Sequence, residues 1–103
     1  FPNLLVVGQS CFNGSTIRSI IAPNCQIIEN CAFYECNCLF EVVANDLLLI
    51  GYQAFSQCNI EQFYCPKIEE VGDYAFSHSP IRKADFGSCK DISESVFDFC
   101  QKV

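Results

Sequence analysis

The sequence predicts an α/β solenoid, a coil with short parallel strands along one side and short helical turns along the other. Three observations predict it. One phrase recurs at a near-constant step, a phenylalanine column runs through every copy, and a strand-like segment stops at the same register in each unit. The fullest copy is Ile50-Gly51-Tyr52-Gln53-Ala54-Phe55-Ser56-Gln57-Cys58. The leading aliphatics are Val7, Ile28, Ile50, Val71 and Ile92, so the steps are 21, 22, 21 and 21 residues. A fixed step of that size is the mark of stacked repeats, each unable to bury its apolar face alone.

Each unit reads the same way. Gly8, Gly51 and Gly72 follow their anchors and begin a tight turn. The pair at Ala32-Phe33, Ala54-Phe55 and Ala75-Phe76 then reads as a helical turn, too short to hold without packing. Phe12, Phe33, Phe55, Phe76 and Phe97 fill one column, and burying each is worth roughly 1.5–3 kcal/mol. The column before it is small: Cys11, Ala32, Ala54, Ala75 and Val96. A polar corner leads to Ile17, Leu39, Ile60, Ile81 and Val103. One extra residue in Cys36-Asn37-Cys38-Leu39 accounts for the 22-residue step.

The strands are expected at Ser19–Ala22, Glu41–Ala44, Gln62–Cys65 and Lys83–Phe86, one per unit, stopped by Pro23, Asn45, Pro66 and Gly87. With a period of two, Ile20/Ala22, Val42/Ala44, Phe63/Cys65 and Ala84/Phe86 point inward. The alternate residues Ser19, Ile21, Glu41, Val43, Gln62, Tyr64, Lys83 and Asp85 point outward and form the candidate protein-binding face. Its row Ile21, Val43, Tyr64 and Asp85 is apolar, then aromatic, then acidic, and exposed apolar rows are candidate contact sites. The competing account is that these are ordinary strand formers on a short sheet.

Residues 1–103 make one repeat domain of about four and a half units, with half the residues hydrophobic. Phe1, Leu4, Leu5 and Val103 are not polar caps, so the chain is expected to belong to a longer array or to stack end to end with another copy. Twelve acids against six bases give a net charge of −6, which disfavours nucleic acid as a partner. No apolar run is long enough to span a bilayer, and no signal peptide is visible.

Nine cysteines at first suggest a disulfide scaffold. Their register points to small buried fillers instead. Cys36, Cys58 and Cys100 share a column with Ser15 and Ser79, while Cys25 and Cys89 share one with Leu4, Leu47 and Ile68. Cys11 and Cys65 also stand in core columns, which leaves Cys31 and Cys38 as the exposed thiols. Cys36 and Cys58, in consecutive units, are the pair with a spacing suited to a disulfide. Cys36-x-Cys38 lacks a second ligand pair for zinc.

His78 stands at a corner whose equivalents are Gly14, Glu35, Gln57 and Phe99, with no shared chemistry, and reads as a surface residue. Glu69, Glu70 and Asp73 read as a solvated acidic corner. No catalytic residue, cofactor or metal is expected. Asn13-Gly14-Ser15 fits the N-glycosylation pattern on an accessible turn.

The pattern aliphatic-Gly-x-x-Ala-Phe-x-x-Cys, followed by a Pro-ended strand as in Ile60, Phe63 and Pro66, resembles the BspA-like leucine-rich repeat. Ser79 for Cys, Cys11 for Ala and Val96 for Ala are the departures. The resemblance covers essentially the whole chain. It implies a right-handed leucine-rich-repeat coil with strands on the concave face and helical turns on the convex one. It also implies a non-enzymatic, cell-surface or secreted protein that binds another protein or a host surface macromolecule. The free-thiol reading favours the alternative, a cytoplasmic scaffold.

Overall fold

A computed structural model describes residues 5–79, 81, 83–87, 89 and 96. It has eight strands: β1 (Val6–Val7), β2 (Ser19–Ile21), β3 (Ile27–Ile28), β4 (Glu41–Val43), β5 (Leu49–Ile50), β6 (Gln62–Tyr64), β7 (Glu70–Val71) and β8 (Lys83–Asp85). They form two four-stranded parallel sheets, β1-β3-β5-β7 and β2-β4-β6-β8. Each coil thus carries two strands rather than the expected one. The anchors make the second sheet, with Val7, Ile28, Ile50 and Val71 in register. The 22-residue step is absorbed in the Cys36–Leu39 corner, so both sheets keep their register across it.

The four strands expected from the sequence, β2, β4, β6 and β8, start where expected and end one residue earlier. The next residue still joins the following coil: Ala22, Ala44 and Cys65 donate their N–H groups to Val43, Tyr64 and Asp85. A turn then closes, with Cys25, Leu47, Ile68 and Cys89 donating to Ala22, Ala44, Cys65 and Phe86. Pro23 and Pro66 supply the fixed φ such a turn wants at its second residue. Gly87 meets the same need differently. Its φ is +59°, and a Cβ there would sit 1.9 Å from the Pro66 oxygen.

The expected helical side is corrected. No α-helix lies among the described residues; the phrase runs as successive tight turns. Ala32, Ala54 and Ala75 donate within the turn, to Glu29, Gly51 and Gly72. The very next N–H groups leave the segment: Phe33 and Phe55 donate to Ala54 and Ala75 of the next coil, at 2.8 Å each. A helix would keep all these donors to itself. Two left-handed columns interrupt it as well. Ser10, Cys31, Gln53 and Tyr74 have φ of 53–59°, and Gly14, Glu35, Gln57 and His78 have φ of 58–72°.

This alternation is what lets the phenylalanines stack. Phe12, Phe33, Phe55 and Phe76 lie with ring centroids 5.2, 5.1 and 5.6 Å apart and planes within 8° of parallel. The spacing follows the separation of hydrogen-bonded coils, ~4.8 Å. Phe63 meets Phe55 and Phe76 edge-on at 4.9 and 5.0 Å. Ala32, Ala54 and Ala75 are fully buried beside the stack, and Gly72 lies so close to Gly51 that a Cβ would sit 2.6 Å from its carbonyl carbon. Ile20, Ala22, Val42, Ala44, Phe63 and Cys65 point inward as expected. Ala84 does not: it is exposed, in the last described strand, where β6 pairs with β8 on one side only. Cys11 is likewise exposed in the first coil, against expectation. Ile92, Phe97, Cys100 and Val103 lie outside the described residues.

Candidate functional site

The strand face forms two registered rows. Ser19, Glu41, Gln62 and Lys83 are cross-strand neighbours, and so are Ile21, Val43, Tyr64 and Asp85. Ser19, Glu41 and Val43 are half-buried, and the other five are exposed. Ile21 keeps 49% and Tyr64 40% of its surface in water, high for residues with this much apolar area. A groove of about 300 Å³ lies at the β6–β8 end, bordered by Gln62, Tyr64, Lys83 and Asp85. Its Lys–Asp rim and tyrosine wall suit a polypeptide surface, where aromatic anchors and a polar rim recur.

The Cys/Ser column lies inside the coil and has a chemistry that sequence reasoning missed. Cys36 and Cys58 donate their S–H groups to the carbonyls of Phe12 and Phe33 in the preceding coil, at 3.0 Å each. The Ser79 hydroxyl does the same for Phe55 and accepts the Cys58 N–H at 2.9 Å. The exchange of Cys for Ser within one column is the signal: both are small and both donate.

All eight described cysteines are free, Cys36 and Cys58 included. Those two thiols touch. Cys58 holds the Cys36 thiol down, to about 7, and is itself pushed well up, first by Cys36 and then by burial. Burial pushes Cys65 up to about 12, helped by the charges of Asp85 and Cys89, and burial also raises Cys25. Cys38 is exposed as expected, whereas Cys31 is half-buried, with Sγ 3.9 Å from the Gln53 carboxamide oxygen. Among the described residues no three His, Cys, Asp or Glu side chains gather as a metal site. No helix among them is long and apolar enough to cross a membrane.

His78 is exposed at its corner, and Glu70 belongs to β7 rather than to a turn. The corner column Gly14, Glu35, Gln57 and His78 shares a left-handed backbone, which explains the lack of common side-chain chemistry. The profile of the BspA type leucine-rich repeat region matches residues 5–103, in six copies. The chain belongs to this family. No curated protein and no solved structure matches it. As a BspA-type leucine-rich repeat it is a protein-interaction module, of a family that is generally non-enzymatic.

Proposed function

We propose that this BspA-type array is a cell-surface or secreted adhesion module. Its strand face, Ser19, Ile21, Glu41, Val43, Gln62, Tyr64, Lys83 and Asp85, would take another protein or a host surface macromolecule. The registered row from Ile21 to Tyr64, exposed at both ends and half-buried at Val43, carries the reading, because apolar-aromatic surface is costly to leave in water without use. Asn13, exposed within Asn13-Gly14-Ser15, is accessible to a glycan in a secretory compartment.

Beads coated with the protein are offered to cultured epithelial cells. Replacing Ile21 and Tyr64 together by Asp is expected to cut adhesion about tenfold or more, as for losing central anchors. Circular dichroism is expected to stay unchanged, since both side chains point outward. Undiminished adhesion would count against this face.

A second reading, a cytoplasmic scaffold, is favoured by the eight free thiols. Titrating thiols after unfolding freshly isolated native protein separates the two. Nine reactive thiols would favour the scaffold, and fewer would favour an oxidising compartment. Either form is a candidate for end-to-end stacking, because Leu5 and Val6 at β1 are 56% and 45% exposed. A mass that stays monomeric in sedimentation at high concentration would remove self-association.

A further inference from the structure

A second groove, of about 550 Å³, lies on the turn side of the coil, across the third and fourth repeats. Tyr52 and Tyr74 form one wall, edge to face with centroids 5.9 Å apart. Both rings are exposed, at 45% and 36%. Gln53, Gln57 and His78 supply polar groups along it. The Gln57 amide is already oriented by a hydrogen bond from its Nε2 to the Tyr34 hydroxyl, at 3.2 Å. Buried Ser56 and Ser77 make the floor.

The repeat backbone sets where these side chains stand along the groove. Gln53, Gln57, Tyr74 and His78 all have φ between 53° and 60°. Glycine is the unstrained residue there, and Gly14 occupies one of these columns in the first coil. Ser10, Cys31 and Glu35 carry the same φ in the earlier coils, so the left-handed backbone belongs to the repeat, and what distinguishes this groove is that Gln, Tyr and His stand at those positions. The turn itself needs no Gln, Tyr or His.

The lining selects a ligand class. Among the described residues its lining has no Lys, Arg, Asp or Glu, while the flanking residues Glu35 and Asp73 are acidic and the chain's charge is −6, which disfavours anions. Exposed tyrosine rings offer faces to C–H bonds, and carboxamides match vicinal hydroxyls with paired donors and acceptors. Successive coils advance by ~4.8 Å, close to the rise per residue of an extended pyranose chain. We propose that this groove binds a neutral, unbranched oligosaccharide lying along the stack, one ring against each of the two coils. The site does not depend on the strand face and is separate from the adhesion reading.

Saturation-transfer NMR with cellotetraose, mannotetraose and chitotetraose tests it. Transfer to at least one of the three is expected. Titration should show binding weakened about tenfold by Tyr74→Gly and by Gln57→Gly. Glycine suits φ > 0, so both variants are expected to unfold in urea no earlier than wild type, which separates lost binding from lost fold. Tyr64→Ala, on the strand face, is expected to leave transfer unchanged. No transfer to any of the three sugars, or equal binding by wild type and both glycine variants, overturns the proposal. Binding of a peptide in this groove with no sugar transfer overturns it as well.

Discussion

Ser79 does the work of two groups at one atom. Elsewhere in its column the tight turn closes directly, with Cys36 N–H on Phe33 O, but at Cys58 the Ser79 hydroxyl accepts the N–H and donates its own O–H to Phe55 O. Removing it strands a buried donor and a buried acceptor. Ser79→Ala is therefore expected to cost roughly 1–3 kcal/mol in urea unfolding. Cys36→Ser keeps a donor toward Phe12 O and is expected to cost clearly less. If the two cost the same, the column is only filler. The left-handed columns make the opposite kind of prediction. Glu35, exposed with φ 59°, bears a steric cost of roughly 1–2 kcal/mol that glycine would not. Glycine returns part of this as unfolded-chain entropy, roughly 0.5–1 kcal/mol. Glu35→Gly is thus expected to stabilise by about 0.5–1 kcal/mol, read as a higher urea midpoint.

At the scale of elements, the ring stack is a continuous column running across the coils, buried from Phe33 to Phe76. Phe55 touches Phe33, Phe63 and Phe76 and is fully buried, so a truncation there cannot be filled from one side. Phe55→Ala is expected to cost about 3–5 kcal/mol. Phe12→Ala should cost less, because Phe12 is half-buried in the first coil. Equal losses would mean that the column is not continuous. The phenylalanine column was legible because it repeats at steps of 21 or 22 residues, and so were β2, β4, β6 and β8, because Pro23, Asn45, Pro66 and Gly87 mark their ends. The sheet of anchors was not. Val6–Val7 and Glu70–Val71 are two-residue strands, too short for a period of two to show. The turns read as helix for the same reason: an adjacent Ala-Phe pair, three and two residues before the corner at Gln57, fits either shape. What decides is where alternate N–H groups go, and that is a property of the neighbouring coil. The strand-face residues were legible as a pattern, whereas the polar groove was not, because Gln53, Gln57, Tyr74 and His78 share a backbone shape and no side-chain type.

At the scale of the whole molecule, the buried thiols couple stability to alkaline pH. Burial raises Cys25 and Cys65, and Cys58 is raised by Cys36 and by burial. In the unfolded chain such thiols ionise near ~8.5. Above that pH the unfolded state loses protons that the folded state keeps, so stability falls as pH rises toward the folded values. Cys36 has the opposite sign. Its pKa is lowered to about 7, so its contribution is lost as pH falls through 7 and is complete above ~8.5. The window from pH 8.5 to 10 therefore isolates the raised thiols. Cys65, raised to about 12, is expected to cost up to about 2 kcal/mol across it, from 1.36 kcal/mol per pH unit. Cys65→Ala is the cleanest subtraction, because Ala22 and Ala44 already occupy its column. The variant is expected to be less stable at pH 7 and to lose less than wild type between pH 8.5 and 10, measured by urea unfolding under reducing conditions. Parallel pH profiles for the two proteins would show that Cys65 ionises as freely in the coil as in the open chain, and so would contradict the effect of its burial.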